Sequence, residues 1–198
     1  MKELFIVEGE SAASTVRQAM YKPDQSVLAL QGKLINTATT SISKVLSDSI
    51  CQRIFQALGC GINEHCDAGD LLFSKILILM DPDVDGTHAR MLTITLFENY
   101  LKPLIDSGVV WVVIPPSFRI TASNHCYYAW NDRQQKQILN QITQKTNITI
   151  SRVKSVAQFS TAECRQHLLQ PDTRVQINLV SSPTDASPEM TSASTHVI

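Results

Sequence analysis

Ile76-Leu-Ile-Leu-Met-Asp81-Pro-Asp83-Val-Asp85-Gly86 is an apolar run that ends in three carboxylates at alternate positions. The run predicts a buried strand. In an extended chain alternate residues point the same way. Like charges so crowded repel and raise one another's pKa unless a cation neutralises them. Oxygen ligands alone suit a hard ion, Mg2+ or Mn2+ more than zinc. Pro82 biases Asp81 away from helix, which supports an extended acidic segment, and Gly86 then permits a sharp turn.

Three chemistries compete for this loop with a plain solvated turn, since turns favour Asp and Gly in any case. An EF-hand requires an acid at loop position twelve. Counted from Asp81 that position is Leu92, and no acid lies between Asp85 and Glu98, so the EF-hand is excluded. Asp83-Val-Asp85-Gly86-Thr87 resembles the nucleophile motif of haloacid dehalogenase phosphatases, which also need a downstream Lys and a late acidic pair. Lys136, Lys145 and Lys154 are present, but no acidic pair follows an apolar strand. The third chemistry is a magnesium site completed by an acid elsewhere in the chain.

Composition narrows the field. A chain of 198 residues with 43% apolar content makes one domain, or one domain with appendages. A net charge of −1 gives no global field for DNA or anionic membranes, so nucleic acid would have to be met by local basic residues. No apolar run reaches about twenty residues and the N-terminus lacks a signal-peptide pattern. The five cysteines (51, 60, 66, 126, 164) contain no Cys-x-x-Cys pair, which fits a reduced cytoplasm. His65-Cys66 near Cys60 could bind metal, although buried or incidental thiols are the commoner case.

Upstream of the acidic stretch, residues 3–7 predict a short strand that ends in Glu8-Gly-Glu-Ser-Ala12, with Ser11 capping a helix to about Met20. Glu8 and the aspartates thus both fall just past carboxyl ends of strands, where open parallel sheets bind ligands. Alone, Glu8 reads as a solvated turn acid; paired with the aspartates it reads as a ligand. Val27-Leu-Ala-Leu30 predicts a second strand running into Gln31-Gly-Lys33, where Lys33 is either solvated or a phosphate contact. Residues 37–44 read as loop, and Ser47 as the N-cap of a helix from Asp48 to Leu58. Leu46, Ile50, Ile54 and Leu58 make its core-facing stripe and Gly59 its end.

Downstream, Thr87 to about Asp106 predicts a helix that Pro103 kinks or restarts. His88 and Arg90 in its first turn oppose the helix dipole, so a local anion, either the acids or a DNA phosphate, would explain them. Residues 109–114 predict a fourth, fully buried strand before Pro115-Pro116. Strand–helix alternation repeated four times implies an α/β fold, a four-stranded, mainly parallel sheet flanked by helices over residues 1–122. A smaller C-terminal α+β extension over 123–180 would carry a helix at 131–143, a strand at 147–153 and a helix at 161–169. Residues 181–198 read as a disordered tail.

Five motifs in order resemble the Rossmann-like Toprim domain of type IIA DNA topoisomerase B subunits, those of gyrase and topoisomerase IV. The family's Glu-Gly-Asp-Ser-Ala stands here as Glu8-Gly-Glu-Ser-Ala12, its Gly-Lys-Ile/Leu-Asn turn as Gly32-Lys-Leu-Ile-Asn36, and its Ala-Leu-Gly-x-Gly-Ile as Ala57-Leu-Gly-Cys-Gly-Ile62. Asp81 through Arg90 fit Asp-x-Asp-Val-Asp-Gly-x-His-x-Arg throughout, and Pro115-Pro116 fits the pair after the last strand. The resemblance covers residues 3–120 and, more loosely, continues to about 180.

The resemblance implies a two-metal type of centre for Mg2+, or Mn2+. Glu8, Asp81 and Asp83 would be its catalytic residues and ligands, and Asp85 would hold a second ion or orient the others. Glu8 would also move a proton to the leaving sugar oxygen. Glu10, Ser11, Lys33, His88 and Arg90 would lie near DNA. The attacking tyrosine belongs to a partner, the gyrase A-type subunit, and Tyr21, Tyr100, Tyr127 and Tyr128 match no such motif. The family carries an ATP-binding domain ahead of Toprim; these 198 residues contain no Gly-rich phosphate loop, so the expectation is that ATP is handled outside them, with a separate ATPase subunit as a further implied partner.

Some family elements have drifted. Arg-Tyr-Lys-Gly-Leu-Gly-Glu stands as Arg152-Val-Lys-Ser-Val-Ala-Gln158, the Gly-Gly after Ser-Ala as Ala13-Ser14, and the Arg before Gly-Lys as Gln31. The first expectation is therefore a metal-supplying topoisomerase module that by itself neither hydrolyses ATP nor relaxes DNA. Alternatives are a non-catalytic protein that docks a gyrase A-type subunit, and a standalone metal-dependent nuclease or phosphohydrolase.

Overall fold

The computed structural model describes residues 2–122, 125–142 and 147–177, so the predicted tail at 181–198 lies outside the described residues. They form two compact units. One runs to Pro115 and resumes at Lys154; the other is Pro116–Val153.

The first unit is an α/β sheet in the order β2-β1-β3-β4-β8. Its strands are β1 (Glu3–Glu8), β2 (Gln25–Leu30), β3 (Lys75–Leu79), β4 (Val110–Val113) and β8 (Arg174–Gln176). The first four pair in parallel, with Leu79 beside Val7 and Glu8 beside Leu30. Antiparallel β8 makes the sheet five-stranded where the sequence predicts four. It was illegible because its three residues, Arg-Val-Gln, alternate too briefly to signal a strand.

The strands are apolar in unbroken runs because both sheet faces are covered. Leu4, Ile6, Ile76, Ile78 and Val112 join one core with helix α3 (Ser49–Leu58) and helix α4 (Val84–Tyr100). On the other face Phe5, Val7, Leu77 and Leu79 are fully buried. Helix α1 (Gly9–Ala19) turns Ala12, Ala13, Val16 and Ala19 inward and packs on β1 and β2.

Two predicted caps move. Ser11 lies in the first turn of α1, whose N-cap is Glu8 itself. Asp48, not Ser47, caps α3, accepting the Ile50 and Cys51 N–H groups at 3.0 and 2.9 Å. Asp48 is extended and separates α3 from a short helix α2 (Ile42–Ser47), where a loop was predicted to 44. Leu46 therefore falls off the stripe of Ile50, Ile54 and Leu58 and is exposed. Gly59 ends α3 in the left-handed region at φ 66°. After Tyr100 the chain restarts as α5 (Lys102–Asp106), with Pro103 in its first turn as the sequence predicts.

In the second unit β5 (Phe118–Ala122), β6 (His125–Ala129) and β7 (Ile148–Arg152) form an antiparallel sheet in the order β6-β5-β7, with helix α6 (Asp132–Gln141). The expected division after residue 122 falls between β5 and β6, which pair with each other. From Lys154 the chain rejoins the first unit through a turn at Val156–Gln158, helix α7 (Thr161–Cys164), a π-turn at Arg165–Leu169 and β8. Among the described residues no helix is long and apolar enough to cross a membrane.

Candidate metal centre

Parallel pairing of β1, β2 and β3 brings the strand ends at Glu8, Leu30 and Leu79 to one sheet edge. Glu8 is the last residue of β1 and, at φ −85° and ψ 111°, leaves its side chain out of any cap bond. Its Oε2 is buried without a hydrogen-bond partner. A cleft of about 410 Å³ opens beside it, lined by Glu8, Gly9, Leu30, Gly32, Lys33, Asp85 and Ala89.

The aspartates leave the strand less simply than alternation predicts. Asp83 is the N-cap of α4, and its Oδ1 accepts the Gly86 N–H at 2.8 Å. The helix begins at Val84, so Asp85 is already in its first turn, exposed and facing the cleft. Gly86 does not serve as the predicted sharp turn. A Cβ there would stand 2.2 Å from the Asp81 carbonyl oxygen, so only glycine lets the helix start this close to the strand's end. Asp81, half-buried, accepts the Val156 N–H on Oδ1 at 2.7 Å. That contact was missed at the sequence level, although its signal was present in the drifted motif at 152–158.

The electrostatics follow from this crowding. Burial, then the charges of Asp81, Asp83 and Asp85, push the Glu8 carboxyl above its ordinary value, and Lys33 across the cleft pulls it partly back. Burial also raises Asp81; hydrogen bonds from the Val156 N–H and the Ser155 hydroxyl lower it, and Asp83 raises it further.

The predicted DNA-facing residues divide. Lys33 lines the cleft, and Glu10 instead pairs with Arg17 two turns along the same helix. Ser11 and His88 are exposed. Arg90 is half-buried and reaches the Thr87 hydroxyl at 3.5 Å, and burial lowers its pKa.

Among the described residues no three His, Cys, Asp or Glu side chains stand close enough to cage an ion by themselves. Asp81 and Asp83 each have one oxygen on a backbone N–H. The donor set still fits a hard cation. It is all oxygen, and the buried, unpartnered Glu8 Oε2 among three aspartates is left uncompensated without positive charge. Mg2+ commonly takes only one or two carboxylates and completes its shell with water and substrate phosphate, so a full protein cage is not required.

The Toprim domain family model matches residues 3–113. The DNA gyrase B subunit of Metamycoplasma hominis is 37% identical over 179 residues, 90% of this chain and 28% of that protein. The DNA gyrase B subunit of Thermotoga maritima is 34% identical over 172 residues, 87% of this chain and 27% of that one. The DNA topoisomerase 4 B subunit of Rickettsia conorii is 32% identical over 174 residues, covering 87% and 26%. The chain thus spans about a quarter of the length of these relatives.

Proposed function

This chain belongs to the Toprim domain family, homologous to the corresponding region of gyrase and topoisomerase IV B subunits, and from that premise we propose that it is the magnesium-binding module of a type IIA topoisomerase cleavage centre. The observation that carries the metal reading is the buried, unpartnered Glu8 Oε2 set among Asp81, Asp83 and Asp85. Glu8, Asp81 and Asp83 would hold one ion, and Asp85, at the cleft wall, would serve a second. Bound Mg2+ would stabilise the negative charge that develops on the departing sugar oxygen.

The chain's own groups supply the rest. Glu8, whose carboxyl burial and the neighbouring aspartates push above its ordinary value, is suited to pass a proton to that oxygen when no ion occupies it. Lys33 at the cleft and Arg90 and His88 on the first turns of α4 attract DNA phosphates. Ser11 sits on the opening turn of α1, on the same side. Glu10 orders that turn through Arg17. The tyrosine that attacks phosphorus comes from a gyrase A-type partner, and ATP hydrolysis from a separate ATPase segment or subunit, in the cytoplasm.

Calorimetric titration of Mg2+ and Mn2+ tests this, with and without duplex DNA, beside an Asp81→Ala/Asp83→Ala variant. Binding that the variant loses, together with Mg2+-dependent DNA cleavage once an A-type subunit is added, is the expected result. No binding even with DNA present overturns the metal reading and leaves a docking protein for the A-type subunit.

A further inference from the structure

The turn that follows the second unit reaches Asp81 through the Val156 N–H and the Ser155 hydroxyl. Val156 is fully buried, and its N–H donates to Asp81 Oδ1 at 2.7 Å. The turn around it is fixed from both sides. The Ala157 N–H donates to Ser155 Oγ at 3.2 Å, and the Lys154 N–H to Gln158 Oε1 at 2.7 Å. The Val156 N–H opens a 3₁₀ turn, so no bond within the turn claims it. On the neighbouring ligand the Gly86 N–H holds Asp83 Oδ1 at 2.8 Å.

We propose that the Val156 N–H is a specificity-determining positioning group. By holding Asp81 Oδ1, as the Gly86 N–H holds Asp83 Oδ1, it disfavours binding of one ion through both oxygens of either aspartate and so favours Mg2+ over Ca2+. The inference rests on the reading of the acid centre as a divalent-metal site. Ca2+ takes six to eight oxygens and gains from carboxylates that bind through both oxygens; Mg2+ is satisfied by single carboxylate oxygens and retained water. For Asp81 to grip an ion with both oxygens, a buried N–H would have to share or give up its acceptor, which is unfavourable.

Val156→Pro deletes this donor at a position that accepts proline. It is the first residue of a helical turn, and Ser155 before it is extended at φ −148° and ψ 147°. Val156→Ala keeps the donor and trims the side chain. The full chain and both variants are titrated with MgCl2, CaCl2 and MnCl2 in the presence of duplex DNA, following heat and the Mn2+ spin-resonance spectrum. Val156→Pro is expected to lose about tenfold of the Mg2+/Ca2+ affinity ratio, within the range typical of groups that orient metal ligands, and Val156→Ala to keep it. An unchanged ratio in Val156→Pro, or an equal loss in Val156→Ala, overturns the proposal while the metal site stands. Absence of any binding by the unaltered chain overturns the metal reading and this inference with it. If Val156→Pro does not fold, Gln158→Ala, which frees the turn, takes its place, and an unchanged ratio there is equally decisive.

Discussion

Glu8 is held in a state its own fold disfavours. Burial and three neighbouring aspartates raise its pKa above the ordinary 4.5, and Asp81 is raised above 3.8. Between those ordinary values and the raised ones the folded chain binds more protons than the unfolded chain. Stability therefore falls as pH rises through that window, and the deficit is complete above it. Glu8→Gln removes one contributor. The metal-free variant is expected to melt about 2 °C higher than the parent at pH 7.5, with the difference vanishing below about pH 4. Mg2+ with DNA should raise the Tm of the parent and leave the variant's almost unmoved. Melting curves at the two pH values, with and without Mg2+, check both statements, and a variant less stable than the parent at pH 7.5 would contradict them. A residue type in a sequence says that it can ionise. Only the sheet register, which sets Glu8 at the edge beside the end of β3, says that ionising it is costly.

Helix α4 shows which part of the candidate site was legible. The acids, the glycine and the basic residues after them were singled out in the sequence, and the structure brings Glu8, Lys33 and Asp85 to one cleft. Their alternation failed as a guide to direction, because Asp83 ends the extended chain and Asp85 belongs to the helix. A capping aspartate and an aspartate ligand have the same letter, and the choice between them is made by the strand–helix packing that forces Gly86 against Asp81. The two roles of Asp83 can be separated. Asn caps nearly as well as Asp, whereas Ala does not cap. Asp83→Asn is expected to keep chemical stability within about 0.5 kcal/mol, and Asp83→Ala to lose about 1 kcal/mol in urea denaturation. Both should weaken metal binding at least tenfold. Equal stabilities for the two variants would mean that the Gly86 contact contributes nothing to α4.

At the scale of the whole chain, the parallel strands announced themselves as apolar runs, because burial on both faces leaves no room for polar alternation. The chain's return after the second unit gave no such signal. Its strand β8 is three residues long, with Val175 exposed, and its anchor is a charge rather than an apolar side chain. Arg174 is buried and reaches Glu3 on β1 at 2.5 and 3.1 Å and the Leu169 carbonyl at 2.8 Å, while Gln25 donates to the same Glu3 at 2.9 Å. Glu3 and Arg174 are 171 residues apart, so no local pattern could join them. Burial opposes the ionised Glu3, yet the Arg174 and Gln25 hydrogen bonds and the Arg174 charge together bring its pKa below 4.5. The folded chain thus binds fewer protons than the unfolded one between that lowered value and 4.5. The contribution is full above 4.5 and is lost as pH falls through the folded value. Arg174→Ala leaves a buried carboxylate unpaired and is expected to cost about 3–5 kcal/mol at neutral pH, whereas replacing both partners, Glu3→Met with Arg174→Met, should cost far less. Urea denaturation at pH 7 and pH 3 measures both. The single variant should also expose the β4 amides that face β8 to faster hydrogen exchange, since an edge strand this short has little else to hold it. If the double variant is as unstable as the single one, the pair acts through its shape in the core and not through its charge.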